Sequence, residues 1–90
     1  PLSRLKIDRS FVQDMLIEVD CAAIVRSLVA LAHELRIDVT AEGVETPEQL
    51  DYLRRVGCDE AQGYLIGKPV PVDDIPALLR DRLVGSEAFE

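Results

Sequence analysis

Three observations predict an α/β fold, a parallel sheet covered by helices. Short β-compatible runs alternate three times with helical segments along 90 residues, the order that builds parallel strand–helix units. At the middle junction, Thr40-Ala41-Glu42-Gly43-Val44-Glu45-Thr46, a carboxylate stands where a strand stops, and a glycine frees the backbone to bend. Lys6, Glu42 and Gln62 hold equivalent places in the three strand runs. In barrels of alternating strands and helices, reacting side chains sit at such strand ends.

Leu5-Lys6-Ile7-Asp8 reads as the first strand, with Leu5 and Ile7 on one face and Lys6 and Asp8 on the other. Ser10 to Met15 reads as a short helical turn that packs through Phe11 and Met15. Asp20 is a suitable cap for a helix over Cys21 to Leu35, whose stripe of Ile24, Val25, Leu28, Leu31, Ala32 and Leu35 marks the buried side. His33 lies off that stripe and reads as a surface histidine without a role. Ile37 to Ala41 is the second strand. Thr46, Pro47 and Gln49 form a capping box with proline at the first helical position. That helix buries Leu50, Leu53 and Val56 and stops at Gly57. Glu60 to Gly63 is a short third strand. Leu65 to Pro71 reads as a loop, broken by Gly67, Pro69 and Pro71. A final helix opens at Asp73 or Asp74 and runs through Leu83. The folded part spans residues 1–85, and 86–90 form a frayed tail.

The formal charge of −7 repels phosphate backbones, so a nucleic-acid polymer is not an expected partner. Cys21 and Cys58 form no CxxC motif and read as small reduced groups in a cytoplasmic setting. Two cysteines and one histidine are too few and too scattered for a zinc site. No apolar run approaches the ~18 residues of a membrane span, although a tether elsewhere in a parent protein is compatible with this chain. There is no GxGxxG and no GxxxxGK[ST] phosphate loop. The opening on Pro1, directly into Leu2-Ser3-Arg4-Leu5, suggests a piece of something longer.

The words Lys6-Ile7-Asp8-Arg9-Ser10-Phe11-Val12, Ala41-Glu42-Gly43-Val44-Glu45-Thr46 and Gln62-Gly63-Tyr64-Leu65 resemble, in order and spacing, the last third of an EAL domain. The resemblance implies the C-terminal three strand–helix units of a TIM-like (β/α) barrel. It implies part of a phosphodiesterase that opens cyclic di-GMP to linear pGpG. Lys6, Glu42 and Gln62 match the family's catalytic positions: a lysine beside the attacking water and scissile phosphate, a glutamate that is a candidate base, and a glutamine of the metal and water shell. Asp8, Glu45, Gly63 and Tyr64 match substrate-binding or supporting positions. The implied cofactor is Mg²⁺ or Mn²⁺, with no direct metal ligand in this chain and Glu42 reaching the metal through water. The family's Glu-Ala-Leu motif, its metal-binding asparagine, a further glutamate and an Asp-Asp-Phe-Gly-type segment are all absent here. The isolated chain is therefore expected to be inactive. The alternative is a degenerate EAL domain that binds cyclic di-GMP or a protein without hydrolysis. With no opposite wall, the face lining the barrel interior is expected to expose Leu, Ile and Val. That would drive association with the missing N-terminal part of the barrel or with a second copy.

Overall fold

The computed structural model describes residues 4–63 and 67–74. In chain order these form β1 (Arg4–Ile7), α1 (Arg9–Asp14), α2 (Val19–Glu34), β2 (Asp38–Ala41), α3 (Pro47–Val56), β3 (Glu60–Gly63), β4 (Gly67–Pro71) and a 3₁₀ turn, Val72–Asp74. One sheet holds the strands in the order β1-β2-β3-β4. β1, β2 and β3 are parallel, with Lys6 opposite Thr40 and Thr40 opposite Glu60, as the strand–helix alternation requires. Tyr64, the expected final helix beyond Asp74 and the tail lie outside the described residues.

Local chemistry sets the helix ends. Thr46 accepts from the Gln49 amide, and the Gln49 side chain accepts from the Glu45 and Thr46 amides at 2.7 and 3.2 Å, so the expected capping box is formed. Gly57 closes α3 at φ 91°, a left-handed conformation that disfavours a Cβ. α2 departs from expectation at its start: it begins at Val19, and Glu18 occupies the cap without a side-chain bond. Asp20 lies inside the first turn, where its charge suits the positive helix end.

The buried side of α2 is a second correction. Val25 and Ala32 of the expected stripe enter the core, together with Val29, whereas its Ile24, Leu31 and Leu35 are exposed. Both sets recur at helical spacing, and periodicity does not say which is covered. His33 is exposed but not idle, since its Nε2 lies 2.8 Å from Asp59 Oδ2. The same carboxylate accepts from the Val39 amide at 2.8 Å, so His33 ties α2 to the approach of β3.

Residues Gly67–Pro71 form an antiparallel strand on β3 rather than the expected loop. Val72 N–H points back at Asp59 O. By alternation, the nitrogens of Pro69 and Pro71 face away from β3, the side of an edge strand where a missing donor costs nothing.

The sheet has two unlike faces. Ile7, Val39, Ala41 and Ala61 join Val25, Val29, Leu50 and Leu53 in one core cluster, and half-buried Leu5 packs against it. By alternation the other face carries Arg4, Lys6, Asp38, Thr40, Glu42, Glu60 and Gln62. The expected exposure of Leu, Ile and Val on that face is not found: every side chain it presents from β1, β2 and β3 is polar or charged. The large exposed apolar residues stand elsewhere, on α2 and the turn before it.

Candidate active site

Strand alternation brings the C-terminal ends of β1, β2 and β3 to one rim of the polar face. Lys6 Nζ lies 3.8 Å from Glu42 Oε2, an ion pair beyond hydrogen-bond reach. The parallel ladder continues past the strands: Glu42 N donates to Ile7 O, and Val44 N to Gln62 O, both at 3.0 Å. Glu42 is thus held beside β1, and the loop after it beside β3. A cleft of about 460 Å³ opens there, lined by Arg9, Glu42, Gly43, Glu45, Gln62 and Gly63.

Two glycines shape the cleft. At Gly43 φ is 73°, and a Cβ would stand 2.5 Å from Arg9 Cγ, so the Arg9 stem crosses the space a side chain would fill. At Gly63 a Cβ would overlap the Val44 backbone. Gly63 therefore lets two chain segments approach closely, which supplies a packing reason for its place in the motif.

Of the residues singled out from the sequence, Glu42, Glu45, Gln62 and Gly63 share the cleft, with Lys6 joined to it through Glu42. Asp8 is engaged elsewhere. It caps α1, accepting from Ser10 N at 3.1 Å and Ser10 Oγ at 2.7 Å. The Ser10 hydroxyl, then the backbone amides, hold its carboxyl below the usual range. The Glu45 amide is fixed by Gln49, while its carboxylate is exposed before the positive end of α3. Sequence reasoning missed Arg9, the one basic residue lining the cleft among those described. Its signal was available: it stands three residues after Lys6, at the start of the helix that follows β1.

Among the described residues no three His, Cys, Asp or Glu side chains converge as a metal site. Glu42 and Gln62 offer only isolated oxygens, so these residues do not by themselves fit a divalent metal. Cys58 does not contribute either. Its thiol lies within donating reach of Val39 O and Glu60 O, and burial pushes its pKa up to about 11. The chemistry that remains is that of a carboxylate able to take a proton, an ammonium beside it, an amide that orients, and a guanidinium that attracts an anion.

A family model for the EAL domain matches residues 1–69. The chain belongs to the EAL domain family. It is 46% identical over 77 residues to the bifunctional diguanylate cyclase/cyclic di-GMP phosphodiesterase MucR of Pseudomonas aeruginosa, a match covering 86% of this chain and 11% of MucR. It is 46% identical over 71 residues to the cyclic di-GMP phosphodiesterase RocR of the same organism, covering 79% of this chain and 18% of RocR. Among solved structures, the PaMucR phosphodiesterase in complex with c-di-GMP superposes with a TM-score of 0.72 at 45% identity, over 83% of this chain and 30% of that one. The manganese/cy-diGMP complex of Klebsiella pneumoniae BlrP1 gives 0.69 at 38%, over 78% of this chain and 18% of that one. The fold is therefore an open part of the EAL (β/α) barrel, and the chain spans roughly a tenth to a fifth of the length of these curated relatives.

Proposed function

We propose that this chain is the C-terminal part of an EAL domain that hydrolyses cyclic di-GMP to linear pGpG. The observation that carries the reading is the convergence of Glu42 and Gln62 in one cleft, with Lys6 3.8 Å from Glu42. Glu42 takes a proton from the attacking water, since a carboxylate at a strand end is both held and open to solvent. Lys6 adds fixed positive charge where charge develops on the phosphoryl oxygens. The Gln62 amide orients the water or a phosphate oxygen. Arg9 draws the anionic substrate into a cleft otherwise lined by two carboxylates. Asp8 supports the site by capping the helix that carries Arg9, and Tyr64 follows Gly63 as a supporting residue.

The complete domain would hold Mg²⁺ or Mn²⁺, which would supply charge neutralisation at the phosphate and a more acidic water for Glu42 to deprotonate. The manganese complex of a solved relative supports this, and the ligands that fix the ion come from residues beyond those described. The isolated 90-residue chain is accordingly inactive; pairing with the missing N-terminal part of the barrel or with a second copy rests on the unpaired sheet edges and not on an apolar interior face. The site works in the cytoplasm, in a parent that is free or tethered to a membrane elsewhere. No described helix is long and apolar enough to cross a membrane. The test is conversion of cyclic di-GMP to pGpG by the purified complete domain with Mg²⁺ or Mn²⁺. Turnover is expected, and tight binding without turnover would replace this reading with that of a binding module.

A further inference from the structure

Two residues before each catalytic candidate, on the same side of the sheet, stands a member of one hydrogen-bonded group. Arg4 precedes Lys6 in β1, Thr40 precedes Glu42 after β2, and Glu60 precedes Gln62 in β3. Side chains two apart along a strand share a face, so Thr40 and Glu60, level with Lys6 across the ladder, lie one step below Glu42 and Gln62, and Arg4 lies one step below Lys6. Arg4 Nη1 donates to Thr40 Oγ1 and to Glu60 Oε1, both at 2.8 Å. Thr40 Oγ1 donates in turn to Glu60 Oε1 at 3.1 Å. A second Arg4 nitrogen lies 3.8 Å from Asp38 Oδ2. Thr40 is only 1% exposed, so its hydroxyl needs these partners.

The β2–β3 ladder is short: two paired positions, Thr40 with Glu60 and Ala41 with Ala61, extended by Asp59 N to Val39 O at 3.2 Å and Val44 N to Gln62 O at 3.0 Å. The β3–β4 register shifts between Ala61 and Gly63, and Gln62 lies within that irregular step. Arg4 spans from β1 across β2 to β3, a tie that no backbone bond supplies. It also neutralises Glu60, a carboxylate level with Lys6 two strands away that would otherwise compete with Glu42 for the Lys6 ammonium.

We infer that Arg4, Thr40 and Glu60 are positioning residues for the EAL site. They hold β1, β2 and β3 in the lateral alignment that pairs Lys6 with Glu42 and brings Gln62 into the same cleft. The inference rests on the phosphodiesterase reading for its kinetic consequence and on geometry alone for its structural one.

The test compares Arg4→Met and Arg4→Lys in the complete domain. A misplaced catalytic group can cost up to ~100-fold. Arg4→Met is expected to lower kcat about tenfold with KM within about twofold, and Arg4→Lys to recover part of the loss because it restores a donor and the charge. The pair is partly exposed and adds little to stability, so the melting temperature should barely move. Unchanged kcat in Arg4→Met would overturn the inference. So would a loss of activity that tracks the unfolded fraction. If Arg4→Met does not fold, Thr40→Val removes the hydroxyl at nearly constant shape and carries the same kinetic test. A crystal structure of the folded variant decides independently of turnover: a Lys6–Glu42 pair kept at its present spacing refutes positioning, and a Lys6 turned towards Glu60 supports it. If the wild-type domain binds cyclic di-GMP without hydrolysing it, the phosphodiesterase reading fails and this structural outcome still settles the positioning role.

Discussion

Ile7, Val39, Ala41 and Ala61 disappear into the core cluster with Val25, Val29, Leu50 and Leu53, and Leu5 packs half-buried against it. The neighbours of these strand residues, one position along, are Lys6, Thr40, Glu42, Glu60 and Gln62, and they form the opposite surface. The two faces belong to the same few strand residues and differ only in parity. One supplies burial, the main source of stability. The other places ionic and amide groups where a barrel gathers its chemistry. Because the faces share a backbone and little else, substitutions on one should leave the property of the other nearly untouched.

The sharpest break should come from Glu42→Gln in the complete domain. General-base loss costs about 10²–10⁴-fold, so turnover of cyclic di-GMP should fall by that order while binding of the substrate survives. The variant keeps shape on the polar face, and its melting temperature should stay close to wild type. Wild-type turnover in this variant would remove Glu42 from the site. A large loss of melting temperature would show that the faces are not separable.

The mirror experiment is Leu53→Ala on the helix-covered side. Leu53 is fully buried, and truncating such a residue costs about 2–5 kcal/mol. Denaturant unfolding of the complete domain should show that loss, while kcat measured on the folded protein changes little. A kcat loss as large as that of Glu42→Gln would mean that α3 packing steers the site directly.

Arg9→Met tests how far the polar side attracts substrate. The substitution keeps a stem over Gly43 and removes the guanidinium. A hydrogen bond to a charged group is worth about 1.5–3 kcal/mol, so KM should rise at least about tenfold while kcat falls less. An unchanged KM would leave Arg9 as packing for the Gly43 turn.

Local chemistry was what the sequence displayed best. The Thr46–Gln49 box, the Gly57 stop and the carboxylate after β2 each depend on residues within one turn, so each was legible. Parity was legible too, which is why Lys6, Glu42 and Gln62 fell on one face. The covered side of α2 was not, because Ile24, Leu28, Leu31 and Leu35 are as periodic as Val25, Val29 and Ala32, and only neighbouring elements decide between them. β4 was hidden by Pro69 and Pro71, whose loop signal fails on an edge strand. The Arg4–Thr40–Glu60 group joins residues 36, 56 and 20 positions apart. It exists only once the parallel register is set, and no short window of sequence carries that register.

Asp8 gives the smallest effect and the finest test of where the polar face ends. By parity it follows Lys6 onto that face, yet its carboxylate is turned to the start of α1, where Ser10 Oγ and N bind it. Those bonds favour the ionised form and lower its pKa. The sign follows: the contribution to stability is present above the unfolded-state value, near 3.9 for an aspartate, and is lost as pH falls through the lower folded value. Asparagine caps a helix about as well as aspartate. Asp8→Asn should therefore leave neutral-pH stability and cyclic di-GMP turnover near wild type, and should flatten the acid-side fall of the melting temperature in the complete domain. Melting curves from neutral pH down to about pH 3, with turnover at neutral pH on the same samples, check both parts. A turnover loss approaching that of Glu42→Gln would move Asp8 from helix cap to site and extend the working face one residue beyond β1.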